Sequence, residues 1–598
     1  MAPGIDALRR ALNTRSALSR PGRFTPVMRL WAMPEGWLAG YLRYLLLSRL
    51  PDLRPGRLAR QNPAREGLAA GGWTIAAPGL WPGMPERGAA ILAGEIELLG
   101  RKLPITQPFW SLAPDNARLA AELHKFAWLT DLVSAGNAGI VLARQLIDQW
   151  LLLPESRDRA LRHPAIAGPR LAAWAQSADR LLVGGDAGFD ERLHRRILEE
   201  ATSLARLLPA GLCGAALIEA LKGLLLAALA LPEGNAWERQ AMIWLERELG
   251  RQILPDGGHV ERNPSRQLRL VRDLAEIELA RVRGGRPASP AIGAALRASA
   301  PALRLLQHGD GGLALFNGAN EETAGLIETV LTAAGETPQA MTKAPHQGFQ
   351  RLAAGRMIAL VDAGRPAAPG FDRGAHAGTF AIEVGIGAER LITNCGAHPA
   401  DADWEEALRS TAAHSTLSID GADSSSLLPG DGIASRPAFV DCRREEQAGA
   451  IWLELAHDGY GPRFGLRHRR RLYMPASGEE LRGEDRVEPL GGRAQASSLT
   501  IRFHLHPEVH ATLAQNGHTV LLRLASGAGW RFRVDGAPIS LVESVYAGRR
   551  GRLRRSQQIL VEGRCDGPAS SVRWALTRER RKAEPLGRSD EEPPVDLK

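Results

Sequence analysis

The spacing of apolar residues changes once along this chain, near residue 340, and that change limits the fold more than any other feature. Before it, apolar residues recur at helical spacing over residues 116–133, 140–153, 171–182, 189–208, 215–231, 236–253 and 265–283. After residue 347 they alternate or run between turns, as in residues 379–384, 451–455 and 499–504. Helical spacing followed by strand spacing predicts an α+β chain, with a helical array first and a large antiparallel sheet protein second.

Length and charge restrict the class of protein further. A chain of 598 residues is too long for one core, so we expect more than one domain. The net charge of +9 is spread along the chain, with basic clusters at residues 467–471 and 549–555. A solvated basic face and a surface for an anionic ligand both agree with this pattern. No helix-turn-helix, zinc-finger or aromatic RNA-binding motif is visible, so we do not expect nucleic acid as a partner.

Cysteines and apolar runs bear on the compartment. The four cysteines have no CxxC spacing and are expected to be buried thiols: Cys213, Cys395, Cys442 and Cys565. No continuous apolar region precedes residue 37, so a standard secretory signal is not visible. The apolar run at residues 37–47 is interrupted by Arg43 and is shorter than the roughly 20 residues of a membrane span. We therefore expect no transmembrane segment and favour the cytoplasm, with the periplasm and the oligomeric state left open.

A histidine stands at the head of one alternating strand, and two polar residues of the metal-ligand type follow it. His376 precedes the alternating residues 379–384, Asn394 lies 18 residues further on, and His414 another 20. Each lies near the end of a predicted strand. The three are therefore candidates for a shared polar site within the sheet region.

These segments, with others, resemble the heparinase II/III-like polysaccharide lyases. The resemblance covers about residues 110 to 565, and its order and spacing are specific although no single segment is. It implies an incomplete (α/α) toroid followed by an antiparallel β-sandwich, with an anionic, uronic-acid-containing polysaccharide in the cleft between them. It also implies that His376, Asn394 and His414 converge as a metal site. The matching segments are residues 123–129, 253–264, 348–352, 372–384, 409–417, 457–460 and 468–473.

The resemblance also suggests domain boundaries. Residues 1–105 form an irregular N-terminal segment, residues 106–340 the toroid, residues 341–575 the sandwich, and residues 576–598 a disordered charged tail. The two large domains correspond to the two kinds of apolar spacing.

Lyases of this family break a uronic acid linkage by β-elimination. The substrate carboxylate must be neutralised, a base must remove the proton at C5, and an acid must protonate the leaving oxygen. Here Arg266 stands where the family has a tyrosine, and the toroid helix offers Glu219 and Lys222 in place of an Asn-His pair. In the sheet region Asn394 replaces a metal-ligand aspartate, and asparagine is a weaker zinc ligand than a carboxylate. Zinc binding and a hydrogen-bonded polar cluster therefore both stay open.

The remaining polar residues of the predicted cleft are candidates for catalysis and substrate binding. His259 is the predicted base, since a histidine can accept a proton near neutral pH. Residues 256–263 also have a structural interpretation, a turn before a helix capped by Asn263. Two functions stay open: a polysaccharide lyase, and a non-catalytic carbohydrate-binding member of the same fold. The predicted catalytic residues are His259, Arg266 and Tyr460, and the predicted substrate-binding residues are Glu261, Arg262, Arg409 and His457.

Overall fold

The fold was analysed in a computed structural model of the chain. It describes residues 33–49, 73, 78–112, 115–153, 158–184, 186–335, 341–429, 432–491, 497–514, 517–565 and 569–579. The change in apolar spacing coincides with a change from helices to strands between residues 335 and 341. The predicted architecture, a helical toroid followed by an antiparallel β-sandwich, is confirmed.

The helical region is a ring of antiparallel helix pairs around one apolar core. Its helix Ala215–Ala230 is buried over almost its whole length, as expected for a helix enclosed by others, and its only charged residues are Glu219 and Lys222. The helix that begins at Pro264 is capped by the Asn263 side chain, which accepts from the Arg266 N–H. The helices are α1 (Trp37–Arg49), α2 (Pro85–Leu92), α3 (Ala117–His124), α4 (Leu129–Ser134), α5 (Asn137–Leu151), α6 (Asp158–Leu161), α7 (Pro164–Leu182), α8 (Ala187–Leu207), α9 (Ala215–Ala230), α10 (Asn235–Gln252), α11 (Pro264–Arg283), α12 (Pro290–Leu305) and α13 (Ala324–Ala333).

The sheet region consists of two large antiparallel sheets packed face to face. Buried residues from both sheets form a shared core, as expected for a sandwich. The strands of this region are β3 (Lys343–Ala344), β4 (Phe349–Ala354), β5 (Met357–Asp362), β6 (Ile382–Ile386), β7 (Glu389–Thr393), β8 (Leu417–Ile419), β9 (Ser426–Leu427), β10 (Ile433–Ser435), β11 (Val440–Gln447), β12 (Ala450–His457), β13 (Leu466–Met474), β14 (Glu480–Pro489), β15 (Ser497–Leu505), β16 (His510–Leu513), β17 (Thr519–Arg523), β18 (Gly529–Asp535), β19 (Ile539–Tyr546), β20 (Arg554–Cys565) and β21 (Ser570–Arg578).

The two sheets differ in position relative to the toroid. The nine-stranded sheet has the order β19-β20-β15-β7-β6-β5-β4-β3, and β8 pairs with β15. Residues of this sheet and of its connecting loops contact the toroid loops. The eight-stranded sheet has the order β11-β12-β13-β14-β21-β18-β17-β16. Two short helices, α14 (Ala402–Arg409) and α15 (Gly461–Phe464), lie in loops between strands.

The chain ends differ from the predicted boundaries. Residues 1–105 were expected to be irregular, but their described parts contain α1, α2 and a hairpin of β1 (Glu95–Leu98) and β2 (Arg101–Pro104). Strand β21 runs to Arg578, so the first residues of the predicted tail belong to the sandwich. Residues 580–598 lie outside the described residues. Within the described ranges, no helix combines the length and the apolar character that a bilayer crossing requires.

Candidate functional site

The predicted base, His259, lies in the loop between α10 and α11, where the toroid meets the sandwich. Its side chain is fully buried. Its Nδ1 accepts from the Glu261 N–H at 3.4 Å, so Nε2 carries the proton and donates to Gln252 Oε1 at 3.1 Å. Burial lowers the pKa of His259. Both ring nitrogens are engaged inside the protein, so in this structure His259 organises its own loop.

Arg262, predicted to bind substrate, instead joins the two domains. Its Nε donates to Gln347 O at 2.5 Å, its Nη2 is paired with Asp362 Oδ1, and its guanidinium lies 4.9 Å from the centre of the Phe349 ring. Both members of the ion pair are buried. The guanidinium is therefore engaged by protein groups in this structure, and its assignment to substrate binding stays a prediction.

Glu261 and Arg266 are the two predicted residues that stay close to solvent on the toroid side. Glu261 Oε1 accepts from Ala215 N–H at 2.6 Å, at the positive end of α9. Arg266 Nε lies 3.7 Å from Glu261 Oε2, and its side chain is 38% exposed. Arg266 is therefore already neutralised by a carboxylate, which weakens it as a clamp for an anionic sugar.

His376 and His414 meet as the resemblance implied, but as a hydrogen-bonded pair. His376 Nδ1 lies 3.0 Å from His414 Nε2, and His414 Nδ1 lies 2.7 Å from the Ser410 carbonyl. Because a carbonyl only accepts, His414 carries its proton on Nδ1, and His376 donates to His414 Nε2. Burial lowers the pKa of His414 to about 4 and that of His376 well below its usual value. The pair is neutral near pH 7.

Asn394 lies beside this pair without contacting it. Its Oδ1 accepts from Ser415 N–H at 2.9 Å and its Nδ2 donates to Glu383 Oε1 at 3.0 Å. The described residues hold no group of three or more histidine, cysteine, aspartate or glutamate side chains placed to ligate a metal ion. Two imidazoles that share one hydrogen bond do not make the ligand set zinc requires. The three residues therefore do not fit a zinc site.

The histidine pair is connected to the toroid by Asn317, which the sequence did not single out. Asn317 Oδ1 accepts from His376 N–H at 3.2 Å, and Asn317 Nδ2 donates to Arg262 O at 3.0 Å. Asn263 Nδ2 donates to Asn317 O at 2.6 Å. A buried polar chain therefore crosses the domain boundary, and it consists entirely of satisfied hydrogen bonds.

The sheet-side candidates lie in the sandwich interior. Tyr460 is 1% exposed, its hydroxyl donates to Leu417 O at 2.6 Å, and burial raises its pKa. His457 accepts from Gly459 N–H at 3.0 Å through Nδ1 and contacts His468 Nδ1 at 3.3 Å through Nε2. Arg409 donates to three carbonyls, those of Ala375, Leu428 and Gly432. Tyr460, His457 and Arg409 are each buried and hydrogen-bonded within the protein, and their assignment to catalysis or substrate binding stays a prediction.

Helix α1 brings Tyr44 against His163 of the toroid, although the two residues are far apart in the sequence. The rings of Tyr44 and His163 lie 5.2 Å apart, edge to face. Arg373 lies close enough to lower the pKa of His163, although burial is the larger cause. Arg373 is exposed and has no carboxylate partner among the described residues. No local pattern could have indicated this cluster, because α1 and residue 373 are more than 300 positions apart in the sequence.

Comparison with known proteins agrees with the architecture. Residues 336–575 match the family described as heparinase II/III-like, C-terminal. The structure is similar to that of heparinase III, with a TM-score of 0.62, 13% identity and 80% of each chain covered. It is also similar to a mutant of the heparan sulfate lyase HepC from Pedobacter heparinus, with a TM-score of 0.55, 14% identity and 82% of each chain covered. At these identities the likeness shows the fold alone.

A relative in sequence extends the match over both domains. FtsZ-localized protein C of Caulobacter vibrioides (strain NA1000 / CB15N) is 32% identical over 559 residues, which cover 88% of this chain and 92% of that protein. The chain belongs to the heparinase II/III-like family. Membership makes the protein polysaccharide lyase-like in fold. The polar residues described above then decide how much of a lyase's chemistry this member keeps.

Proposed function

We propose that this protein is a division-site member of the heparinase II/III-like family that keeps the lyase fold without its elimination chemistry. The observation that carries the loss of chemistry is the state of His259. A general base must reach the proton that it removes, whereas the His259 ring is fully buried and both of its nitrogens are bonded.

The charges on the toroid face support the same proposal. Neutralising a uronate requires a cation that is free to pair with it. Arg266 lies beside Glu261. Arg269, one turn further along α11, is paired with Glu219 of α9. A carboxylate therefore already stands beside each of these two arginines.

The division-site part of the proposal comes from the Caulobacter relative. That protein is named for its localisation with FtsZ, and the match covers nearly the full length of both chains. We extend this localisation to the present protein. Recruitment requires a binding surface and no catalytic residue, so it agrees with a toroid face whose polar groups are occupied.

Two measurements test the proposal. A fluorescent fusion expressed from its own promoter is expected to coincide with labelled FtsZ throughout the division cycle. The purified protein is expected to leave heparan sulfate, alginate and hyaluronan uncleaved, judged by the ultraviolet absorbance of the unsaturated uronate product. A uniform distribution in dividing cells would contradict the localisation. Product formation would contradict the loss of chemistry.

A second candidate function is elimination by a relocated site. It is favoured by one observation, the contact of Tyr44 with His163 near Arg373, which has no carboxylate partner among the described residues. β-Elimination needs an acid, a base and a cation that holds the carboxylate. A tyrosine and a histidine could exchange the protons, and an arginine could hold the carboxylate. If a substrate is cleaved, Tyr44→Phe should lower kcat about 100-fold or more, since it removes a proton-transfer group. Tyr41→Phe on the same helix is the matched control and should leave kcat unchanged.

A further inference from the structure

The outer face of the eight-stranded sheet carries two parallel rows of side chains that cross six neighbouring strands. The strands are β11, β12, β13, β14, β21 and β18, and the residues of each row are direct register partners. The first, the charged row, alternates in sign: Arg443, Glu454, Arg471, Glu484, Arg573 and Asp535. The second, the mixed row, contains Glu445, Trp452, Tyr473, Arg482, Ala575 and Arg533.

The two rows line a hollow of about 660 Å³ on this face. Ala575 is the smallest side chain of the mixed row and lies between Arg482 and Arg533, so the surface sinks at that point. Six strands at a spacing of about 4.8 Å make the hollow about 24 Å long. It is therefore an elongated groove, suited to a chain and larger than a single small molecule requires.

The groove contains an aromatic pair that leaves ring surface exposed. Trp452 and Tyr473 are cross-strand partners with ring centres 4.9 Å apart. Trp452 is 38% exposed, and its neighbours Ile451 and Leu453 supply the buried face of the strand. Flat ring surfaces that stay exposed are a common stacking platform for ligands with an apolar face and a polar edge.

The charged row supplies donors and acceptors in alternation and is nearly balanced. Arg471 Nε lies 2.8 Å from Glu454 Oε1, and Arg471 Nη1 lies 3.8 Å from Glu484 Oε2. Arg573 Nε lies 3.7 Å from Glu484 Oε1. Three arginines face three carboxylates across the row. The mixed row adds Arg482 and Arg533 against Glu445, so the two rows together carry a net charge of only +1. Such a groove has little net attraction for a polyanion, but it offers many hydrogen-bonding groups to hydroxyls.

We propose that this groove binds an uncharged glycan chain. The sugar rings stack on Trp452 and Tyr473, and their hydroxyls hydrogen-bond with the charged row. A peptide strand is less suited, because the inner five strands are paired on both sides and offer no free backbone edge for strand addition. The site lies on the sandwich, apart from the toroid face, and the proposal is independent of the division-site function.

The test is isothermal titration of the full-length protein with chitohexaose, cellohexaose and a heparan sulfate hexasaccharide. At least one uncharged hexasaccharide is expected to bind. Trp452→Ala and Tyr473→Ala are each expected to raise its Kd about tenfold, a loss of about 1.4 kcal/mol. Leu521→Ala is the matched control, because Leu521 is 37% exposed on β17 of the same sheet, outside the groove. The control should leave Kd unchanged.

Several outcomes would overturn the proposal. These are no binding of either uncharged hexasaccharide at millimolar concentration, binding of the heparan sulfate hexasaccharide alone, and an unchanged Kd in Trp452→Ala. Circular dichroism of each variant establishes that the fold is intact. Sedimentation velocity tests the competing occupant, and a dimer that dissociates on Trp452→Ala would assign the groove to a second copy of the chain.

Discussion

The boundary between toroid and sandwich and the outer face of the eight-stranded sheet are both rich in polar side chains, but they use them in opposite ways. At the boundary, His259, Arg262 and His376 are buried and bonded to other protein groups. On the outer sheet face, the Arg471 side chain is 58% exposed and Trp452 is 38% exposed. A polar residue in a cleft-forming position therefore says little about binding until its hydrogen-bonding groups are accounted for.

The comparison predicts that boundary residues matter for stability and groove residues for binding. The largest effect is expected at the buried ion pair of Arg262 and Asp362. Asp362→Ala should lower the free energy of unfolding by about 3–5 kcal/mol, because it leaves the Arg262 guanidinium buried without a counter-ion. Urea denaturation measures this. Arg266→Ala is the control at an exposed pair and should cost less than about 1 kcal/mol, and equal costs for the two variants would break the comparison.

A smaller effect is expected from crowding the histidine pair. A Cβ at Gly378 would lie 2.8 Å from His414 Cδ2, whereas a Cβ at Gly374 would have no atom within 4 Å. Gly378→Ala should therefore cost about 1–3 kcal/mol through overpacking, and Gly374→Ala should be nearly neutral. The thermal unfolding midpoints of the two variants, compared with that of the parent, test this prediction. A destabilised Gly374→Ala with an unaffected Gly378→Ala would show that the pair is not packed as described.

The buried histidines also predict the pH dependence of stability. The pKa of His414 falls to about 4 and that of His504 to about 3 in the folded protein, because burial disfavours the charged ring. The unfolded chain, with an ordinary histidine pKa near 6.5, then binds more protons below that pH. Each such histidine should reduce the free energy of unfolding by about 1.4 kcal/mol per pH unit between pH 6 and 5.

The buried carboxyl of Asp423 changes the stability in the opposite direction, and a variant at this position separates its contribution from that of the histidines. Burial raises the pKa of Asp423 to about 6, so its protonation favours the folded state over the same range and offsets part of the loss. Asp423→Asn should therefore steepen the loss of stability from pH 6 to 5. Urea midpoints measured at both pH values for the parent and the variant check this. A parent stability that rises as the pH falls would contradict the neutral assignment of the histidines.

The smallest effect on stability is expected in the groove. Arg471 is 58% exposed and is paired with Glu454, which is 48% exposed, so Arg471→Ala should change the free energy of unfolding by less than about 1 kcal/mol. The same variant should weaken glycan binding several-fold. Denaturation and titration of one preparation give both values. A loss of stability comparable to that of Asp362→Ala would show that the charged row is a structural element.

The sequence by itself determined the architecture and the family. A period of 3.6 residues up to about residue 335 and a period of 2 afterwards are local properties, and each reports which faces of a helix or strand are buried. The proximity of His376 and His414 also followed from the resemblance, which implied that they converge. The helix cap at Asn263 needed only a few consecutive residues.

The tertiary structure alone decided which polar residues are free to act. Arg262 met Asp362, 100 positions away, and Asn394 turned towards Glu383 and Ser415. Tyr44 reached His163 through the packing of α1. The two rows of the groove combine single residues from six strands, each unremarkable in its own segment. Burial and long-range pairing depend on which elements pack together. The spacing of residues within one element does not identify the element that packs against it.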